Sequence, residues 1–357
     1  MKNNKLYSFT ILIILAFSFV RCALSQKEKQ SIKGNITSIE KQKGAHVFGR
    51  MDTSKFQKFK EDNLEWITLV AWGHQENHDS PTLGHHRGDS LQMVKRDSSW
   101  LSRIEIIRAA GFKVFVKPHI WLQTSYTDKW RSDIFHKSEE DWNQWSSSYR
   151  DFILRYARIA EKGKAELFCV GVELTRLSLE KSDFWEMLIE EVRSVYSGEL
   201  TYAANWHNEF ENITFWDQLD YIGIQAYFPV AENKFPTVEQ VSKGWQKHLP
   251  MLEAFHKKYD RKILFTEMGY KSTASCAVKP WEWIEEPAHL NHHHSLESQA
   301  NCYIAFFETV WPKNWFAGVH LWQYRFNPED YGDSKNMDFT PQGKPAEEII
   351  KRGFKRK

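Results

Sequence analysis

No charge of one sign dominates this 357-residue chain: 48 Lys and Arg stand against 46 Asp and Glu. That balance excludes the basic surface by which a protein displaces counterions from a nucleic-acid backbone. Long hydrophobic runs are also missing. The longest, Phe9 to Val20, is too short to span a bilayer as a helix, so no transmembrane helix is expected. Cysteines number four, too few for a disulfide scaffold, and none has metal-site spacing. Cys169 lies within an apolar run and reads as a small buried hydrophobe. Cys276 and Cys302 are candidates to pair in an oxidising compartment. No internal repeat, low-complexity tract or second domain is found. With 41% apolar and 26% charged residues, the chain is globular. What it has in excess is aromatic: 16 Trp, 13 Tyr and 24 Phe, enough to line a groove as well as fill a core.

The first 25 residues read as an export signal. Lys2 and Lys5 precede the apolar run, and small residues Ala23 and Ser25 lie beyond it. Cleavage after Ser25 leaves 45 cations against 46 acids, a nearly neutral mature protein. The alternative is a lipid anchor at Cys22, for which the preceding Arg21 is a poor fit. Either way the protein is expected to be exported: periplasmic, extracellular, or an outer-surface lipoprotein. Residues 26–43 are polar and aperiodic and read as a linker to one domain over 44–357.

Within that domain, eight short apolar runs alternate with amphipathic stretches. The runs are Ala45–Phe48, Trp66–Ala71, Val114–Val116, Leu167–Val172, Leu200–Ala204, Tyr221–Ile224, Ile263–Phe265 and Val319–Trp322. Helical spacing is seen at 99–110 before Gly111, where a left-handed cap is expected, and from Ser138 to Gly163. It recurs at 184–196, 238–255, 298–310 and 345–350. Strand and helix in regular alternation imply parallel strands joined by right-handed crossovers. Eight such units predict a single (β/α)8 TIM barrel, for which the length suffices. A doubly wound open sheet is the competitor, but no glycine-rich phosphate loop follows the first strand.

Parallel strands are covered on both faces, so polar residues in them need an explanation. Here they gather at the carboxyl ends: Lys117-Pro118-His119, Glu173, Asn205-Trp206, Gln225-Ala226-Tyr227 and Glu267. In a βα barrel these ends share the rim that carries active sites. A pair of acids there is expensive to desolvate and is rarely kept for packing, although each can instead pair with a nearby Lys or Arg. Two glutamates facing across a groove can divide the work of glycosidic cleavage. One attacks the anomeric carbon; the other, kept protonated by its neighbour's charge, protonates the leaving oxygen.

The segments Lys117–Trp121, Phe168–Leu174, Tyr202–Trp206, Asp220–Phe228 and Phe265–Tyr270 resemble glycoside hydrolase family 113. The likeness runs from about Gly44 to Ala346. The resemblance implies a retaining (β/α)8 hydrolase of β-1,4-mannan, with Glu173 as acid/base and Glu267 as nucleophile. It also implies that Tyr227 hydrogen-bonds the nucleophile and that Trp322 floors the subsite of the attacked sugar. Two positions depart from the pattern: Val172, where a polar residue often precedes the acid/base, and Gln225, where Asp is common. Neither removes a catalytic group.

Trp72, Trp121, Trp206 and Trp322 are all expected to follow strands and are candidates to stack on sugar rings, with Asn205 and His119 as partners for hydroxyls. Trp142, Trp145 and Trp185 have helical spacing and read as core. His74, His78, His85 and His86 share a turn-rich stretch, and His292 to His294 form a run, but neither has the rigid spacing of a metal site, so no metal or cofactor is expected. The expected partner is a polysaccharide or oligosaccharide, acted on by a monomer. Three rivals remain from the sequence: a non-catalytic carbohydrate-binding barrel, a hydrolase of the same clan acting on another β-glycan, and a metal-dependent hydrolase built on the histidines, which chelation would inactivate.

Overall fold

The computed structural model describes residues 40–84, 90–123, 129–282, 293–328 and 337–356. The expected signal peptide, the Cys22 anchor and nearly all of the linker lie outside them, as do His85, His86 and His292. Eight strands form the barrel: β1 (Gln42–Phe48), β2 (Trp66–Gln75), β3 (Lys113–Leu122), β4 (Leu167–Val172), β5 (Glu199–Asn205), β6 (Tyr221–Gln225), β7 (Lys262–Met268) and β8 (Phe316–Arg325). They pair in sequence order, all parallel, and β1 closes on β8. The α-helices among the described residues are α1 (Phe56–Glu61), α2 (Ser90–Ala109), α3 (Glu139–Gly163), α4 (Thr175–Glu180), α5 (Ser182–Val195), α6 (Val238–Tyr259), α7 (Leu296–Thr309) and α8 (Pro345–Phe354), with short 3-10 helices at Thr53–Lys55, Arg131–Asp133 and Phe215–Gln218. Among the described residues no helix is long and apolar enough to cross a membrane.

Helix boundaries follow local chemistry. Ser138 caps α3 by accepting from the Asp141 N–H at 3.1 Å. At α6, Thr237 and Gln240 each accept from the other's backbone N–H, closing a capping box. Gly111 has φ +89°, the left-handed conformation expected after α2. Gly163 serves differently. The left-handed residue after α3 is Lys164, while a Cβ on Gly163 would lie 2.7 Å from Ile104 Cγ2, so this glycine permits close helix packing.

The main core lies between the barrel and its helices, where Trp145, Trp185, Trp245 and Trp311 are wholly buried. Trp142 stacks on Trp145 at 6.0 Å. A small second cluster, including Trp66, Phe115, Cys169, Val172 and Leu264, packs separately. Beside it, buried His320 bonds Gln42 at 2.8 Å and Thr68 at 2.7 Å. The Cys276 and Cys302 sulfurs are 3.7 Å apart and unbonded.

Several strands are longer than their apolar runs. β1 opens at Gln42, two residues inside the expected linker, because Lys43 pairs against Val319. β2, β3 and β8 continue through polar residues, so Trp72, Trp121 and Trp322 lie within strands, not after them; Trp206 alone of the four follows one. The physical reason is that the interior of the barrel accepts hydrogen-bonded polar side chains, which interrupt an apolar run without ending the strand.

Candidate active site

Glu267 is the penultimate residue of β7, 5% exposed. Its Oε1 accepts from the Lys117 ammonium at 2.7 Å, and its Oε2 from the Tyr227 hydroxyl at 3.0 Å. Lys117 lies on β3 and is wholly buried. Its Nζ also donates to Gln225 Oε1 at 2.8 Å and to the Thr266 carbonyl at 3.2 Å. Three oxygen acceptors require three N–H donors, which identifies the group as the charged ammonium. Burial pulls its pKa below the ordinary lysine value, and the Glu267 carboxylate opposes that pull. The Tyr227 hydroxyl is pushed well above its usual range, first by burial and then by Glu267.

Two imidazoles stand beyond this pair, with His46 Nε2 at 3.8 Å and His119 Nε2 at 3.7 Å from Glu267 Oε1. Burial first, and the Lys117 charge next, holds both well below the usual histidine range, so both are neutral. Their tautomers follow from their other contacts. His119 Nδ1 is 3.0 Å from Arg131 Nη1, which can only donate, so the proton is on Nε2, facing Glu267. His46 Nδ1 faces the Leu321 carbonyl at 3.3 Å and must carry the proton there.

Glu173 follows β4 directly with φ +52°, a left-handed conformation that costs a non-glycine residue about 1 kcal/mol. Neighbouring β5 holds it: the Glu173 N–H donates to the Ala203 carbonyl at 2.9 Å, and the Leu174 N–H to the Tyr202 hydroxyl at 2.9 Å. Glu173 Oε2 accepts from Trp130 Nε1 at 3.2 Å and lies 3.7 Å from Arg131 Nη1. The two glutamates belong to one site, since the charges of both act on Lys117 and on Tyr227.

The remaining candidates divide. Trp322 is buried, edge-on to His46 at 5.1 Å and to Phe48 at 4.9 Å, and clusters with Phe339 and with Tyr227, the hydroxyl partner of Glu267. Trp206 packs against that cluster and stacks on the exposed Trp281 at 5.2 Å. Trp72 meets His119 at 5.1 Å and Trp121 at 5.6 Å, both edge-on, and Trp121 is exposed. Asn205 is committed elsewhere: its amide donates to Thr175 Oγ1 at 3.0 Å and to Glu209 Oε2 at 3.1 Å. Glu209 is itself buried and also takes bonds from Tyr202, Ser178 and Thr175. Gln225 is turned to Lys117 and Thr266, and Val172 is buried in the small apolar cluster. Neutral Gln225 leaves Glu267 as the carboxylate in contact with Lys117. Sequence reasoning missed Lys117, Trp130, Arg131, His46 and Trp281 as site residues. A lysine inside an otherwise apolar strand was the available signal for the first.

A closed (β/α)8 barrel with two buried glutamates at the carboxyl ends of β4 and β7 is the arrangement of a glycoside hydrolase. Residues 40–344 match Glycoside Hydrolase Family 113, and the chain belongs to that family. Among solved structures, a complex of a GH113 β-1,4-mannanase is 26% identical, with TM-score 0.74 over 89% of this chain and all of that one. The GH113 β-mannanase of Alicyclobacillus acidocaldarius, in complex with ManMIm, is 27% identical, with TM-score 0.73 over 88% of this chain and 97% of that one. A Faecalibacterium prausnitzii β-glucuronidase, 12% identical with TM-score 0.54, shares the fold over 88% of this chain and 48% of its own. No curated protein sequence matches the chain.

Proposed function

We propose that this glycoside hydrolase cleaves β-1,4-mannan, or its oligosaccharides, by double displacement. Glu267 is the nucleophile and Glu173 the acid/base. The observation that carries the assignment is the asymmetry of the two carboxylates: Lys117 and Tyr227 bond one, while Trp130 bonds the other. The first set holds an anion in place beside the aromatic floor of Trp322. The second leaves Glu173 Oε1 able to carry a proton. The GH113 β-1,4-mannanases of similar structure support mannan as the substrate.

In the first step a Glu267 oxygen bonds to the anomeric carbon as the glycosidic C–O bond breaks. The departing oxygen takes the bonding pair and the Glu173 proton, and a glycosyl ester on Glu267 remains. In the second, the Glu173 carboxylate takes a proton from water while the water oxygen attacks the anomeric carbon. The ester breaks, Glu267 regains its charge, and the sugar leaves with its original anomeric configuration. Trp322 stacks on the attacked sugar; Trp206, Trp72 and Trp121 offer further faces along the groove, and His119 Nε2–H a donor. The signal-like first 25 residues support an activity outside the cytoplasm, by a soluble enzyme or one anchored through Cys22.

Proton NMR of the first product from mannotetraose tests the reading, with the β-anomer expected before mutarotation. Glu267→Ala is expected to abolish turnover, and Glu173→Ala to spare kcat/KM for substrates whose leaving group needs no proton. Appearance of the α-anomer first, or wild-type mannan cleavage by Glu267→Ala, would refute it; a purely carbohydrate-binding barrel would bind the oligosaccharide and turn over none.

A further inference from the structure

We infer that Trp130 is a positioning residue for the acid/base and, through the same side chain, the binding surface for the departing sugar. The inference rests on Glu173 being the acid/base. Trp130 follows β3, outside any helix or strand, and is 42% exposed although its indole nitrogen reaches a nearly buried carboxylate. That nitrogen donates to Glu173 Oε2 at 3.2 Å. An indole N–H donates and cannot accept, so it takes up one oxygen of Glu173 permanently and leaves the other to carry and deliver the proton.

Trp130 is itself held by two neighbours. Its backbone N–H donates to Asp133 Oδ2 at 2.9 Å. The Arg131 guanidinium lies over its ring, 4.4 Å from the centroid. Arg131 is buried, donates to His119 Nδ1 at 3.0 Å, and approaches Glu173 Oε2 to 3.7 Å. With one ring face occupied by Arg131, the exposed surface belongs to the other face and the outer edge.

Position decides what that free surface meets. Trp322, Tyr227 and Phe339 cluster around the nucleophile, where the attacked sugar sits. Trp130 is bonded to the opposite carboxylate, the one that hands its proton to the leaving oxygen. A sugar attached through that oxygen departs past Glu173 Oε1, within reach of an indole anchored on Oε2. Binding of the leaving sugar and orientation of the group that protonates it are then joined in one residue. A substrate with a sugar on the leaving side packs against Trp130 and braces the N–H contact to Glu173.

Two substitutions separate the functions: Trp130→Phe keeps an aromatic ring and removes the N–H, whereas Trp130→Ala removes both. Substrates are mannotetraose, whose leaving group requires protonation, and 2,4-dinitrophenyl β-mannobioside, whose leaving group does not. Trp130→Phe is expected to lose about tenfold in kcat/KM on mannotetraose, the worth of one hydrogen bond to a charged group, and less than about twofold on the dinitrophenyl substrate. Trp130→Ala is expected to show the same split and, in addition, a KM for mannotetraose raised several-fold. Glu173→Ala, measured alongside, should show the split in its extreme form. Equal losses by Trp130→Phe on both substrates, or no loss on either, would overturn the inference while leaving the assignment of Glu173 intact. Absence of the split in Glu173→Ala would overturn both.

Discussion

Replacing Lys117 by methionine removes the ammonium that neutralises Glu267 while keeping an unbranched side chain of similar length. The ion pair is buried at both ends, with an N–O distance of 2.7 Å. Breaking such a pair from one side costs about 3–5 kcal/mol, because the remaining charge is left without compensation. Glu267 keeps a trace of solvent exposure, 5%, which places Lys117→Met toward the lower figure. Glu267→Gln leaves the ammonium with Gln225 and the Thr266 carbonyl, so that variant too is expected to lose about 2–3 kcal/mol. In the double variant neither charge remains to be stranded. Its loss should fall short of the summed single losses by about 2 kcal/mol or more. The assay is urea unfolding of the four proteins followed by tryptophan fluorescence, with equal m-values as the control for two-state behaviour. Additivity within about 0.5 kcal/mol would refute the claim that Lys117 and Glu267 are an ion pair in the folded protein. Turnover is an independent readout: Lys117→Met frees one carboxylate oxygen, and a loss of roughly 10–100-fold in kcat/KM is expected if Glu267, so poorly held, is the proposed nucleophile.

Tyr227→Phe removes the other bond to Glu267, at Oε2, and should lower kcat by roughly tenfold with little change in KM or melting temperature; a proportionate rise in KM would instead make Tyr227 a substrate-binding group. Lys271 supplies a pH signature. Burial pulls its pKa from 10.5 to about 8, with Glu282 acting in the opposite sense. Between these values the unfolded chain holds more protons than the folded one, so stability rises with pH over the interval and is flat, for this group, below about 8. The stability of the wild type relative to Lys271→Met should therefore increase by about 3 kcal/mol from pH 8 to 10.5. A difference independent of pH would show that the ammonium is not held at a cost.

Parallel strands make the candidate catalytic pair legible in the sequence. Buried on both faces, they tolerate few charges, so Glu173 at the end of Leu167–Val172 and Glu267 at the end of Ile263–Thr266 stand out, and the count of strand–helix units locates both on one rim. The same rule hides the partners. Lys117 after Val114–Val116 reads as the end of an apolar run, when in fact β3 continues to Leu122 and Lys117 is enclosed by oxygens from β6 and β7. Those oxygens are 108 to 150 residues away in sequence, and no local pattern announces them. The setting of Asn205 is hidden for a related reason. Its place at the end of β5 suggests a sugar contact, but the acceptor that claims its amide, Glu209, sits in a polar stretch indistinguishable by composition from any solvated loop.

The departure at Gln225 gains meaning from this geometry. An aspartate there would set a second carboxylate against the Lys117 ammonium, dividing its charge between two anions. With a neutral amide, Gln225 Oε1 accepts from both Lys117 and Thr266 and aims the ammonium without competing for it. The full charge of Lys117 then falls on Glu267. The two neutral imidazoles behind it add donors and acceptors but no charge. Glu267 is thereby set by one cation and one hydroxyl, which is why, on the proposed mechanism, turnover should respond to substitution of Lys117 and of Tyr227.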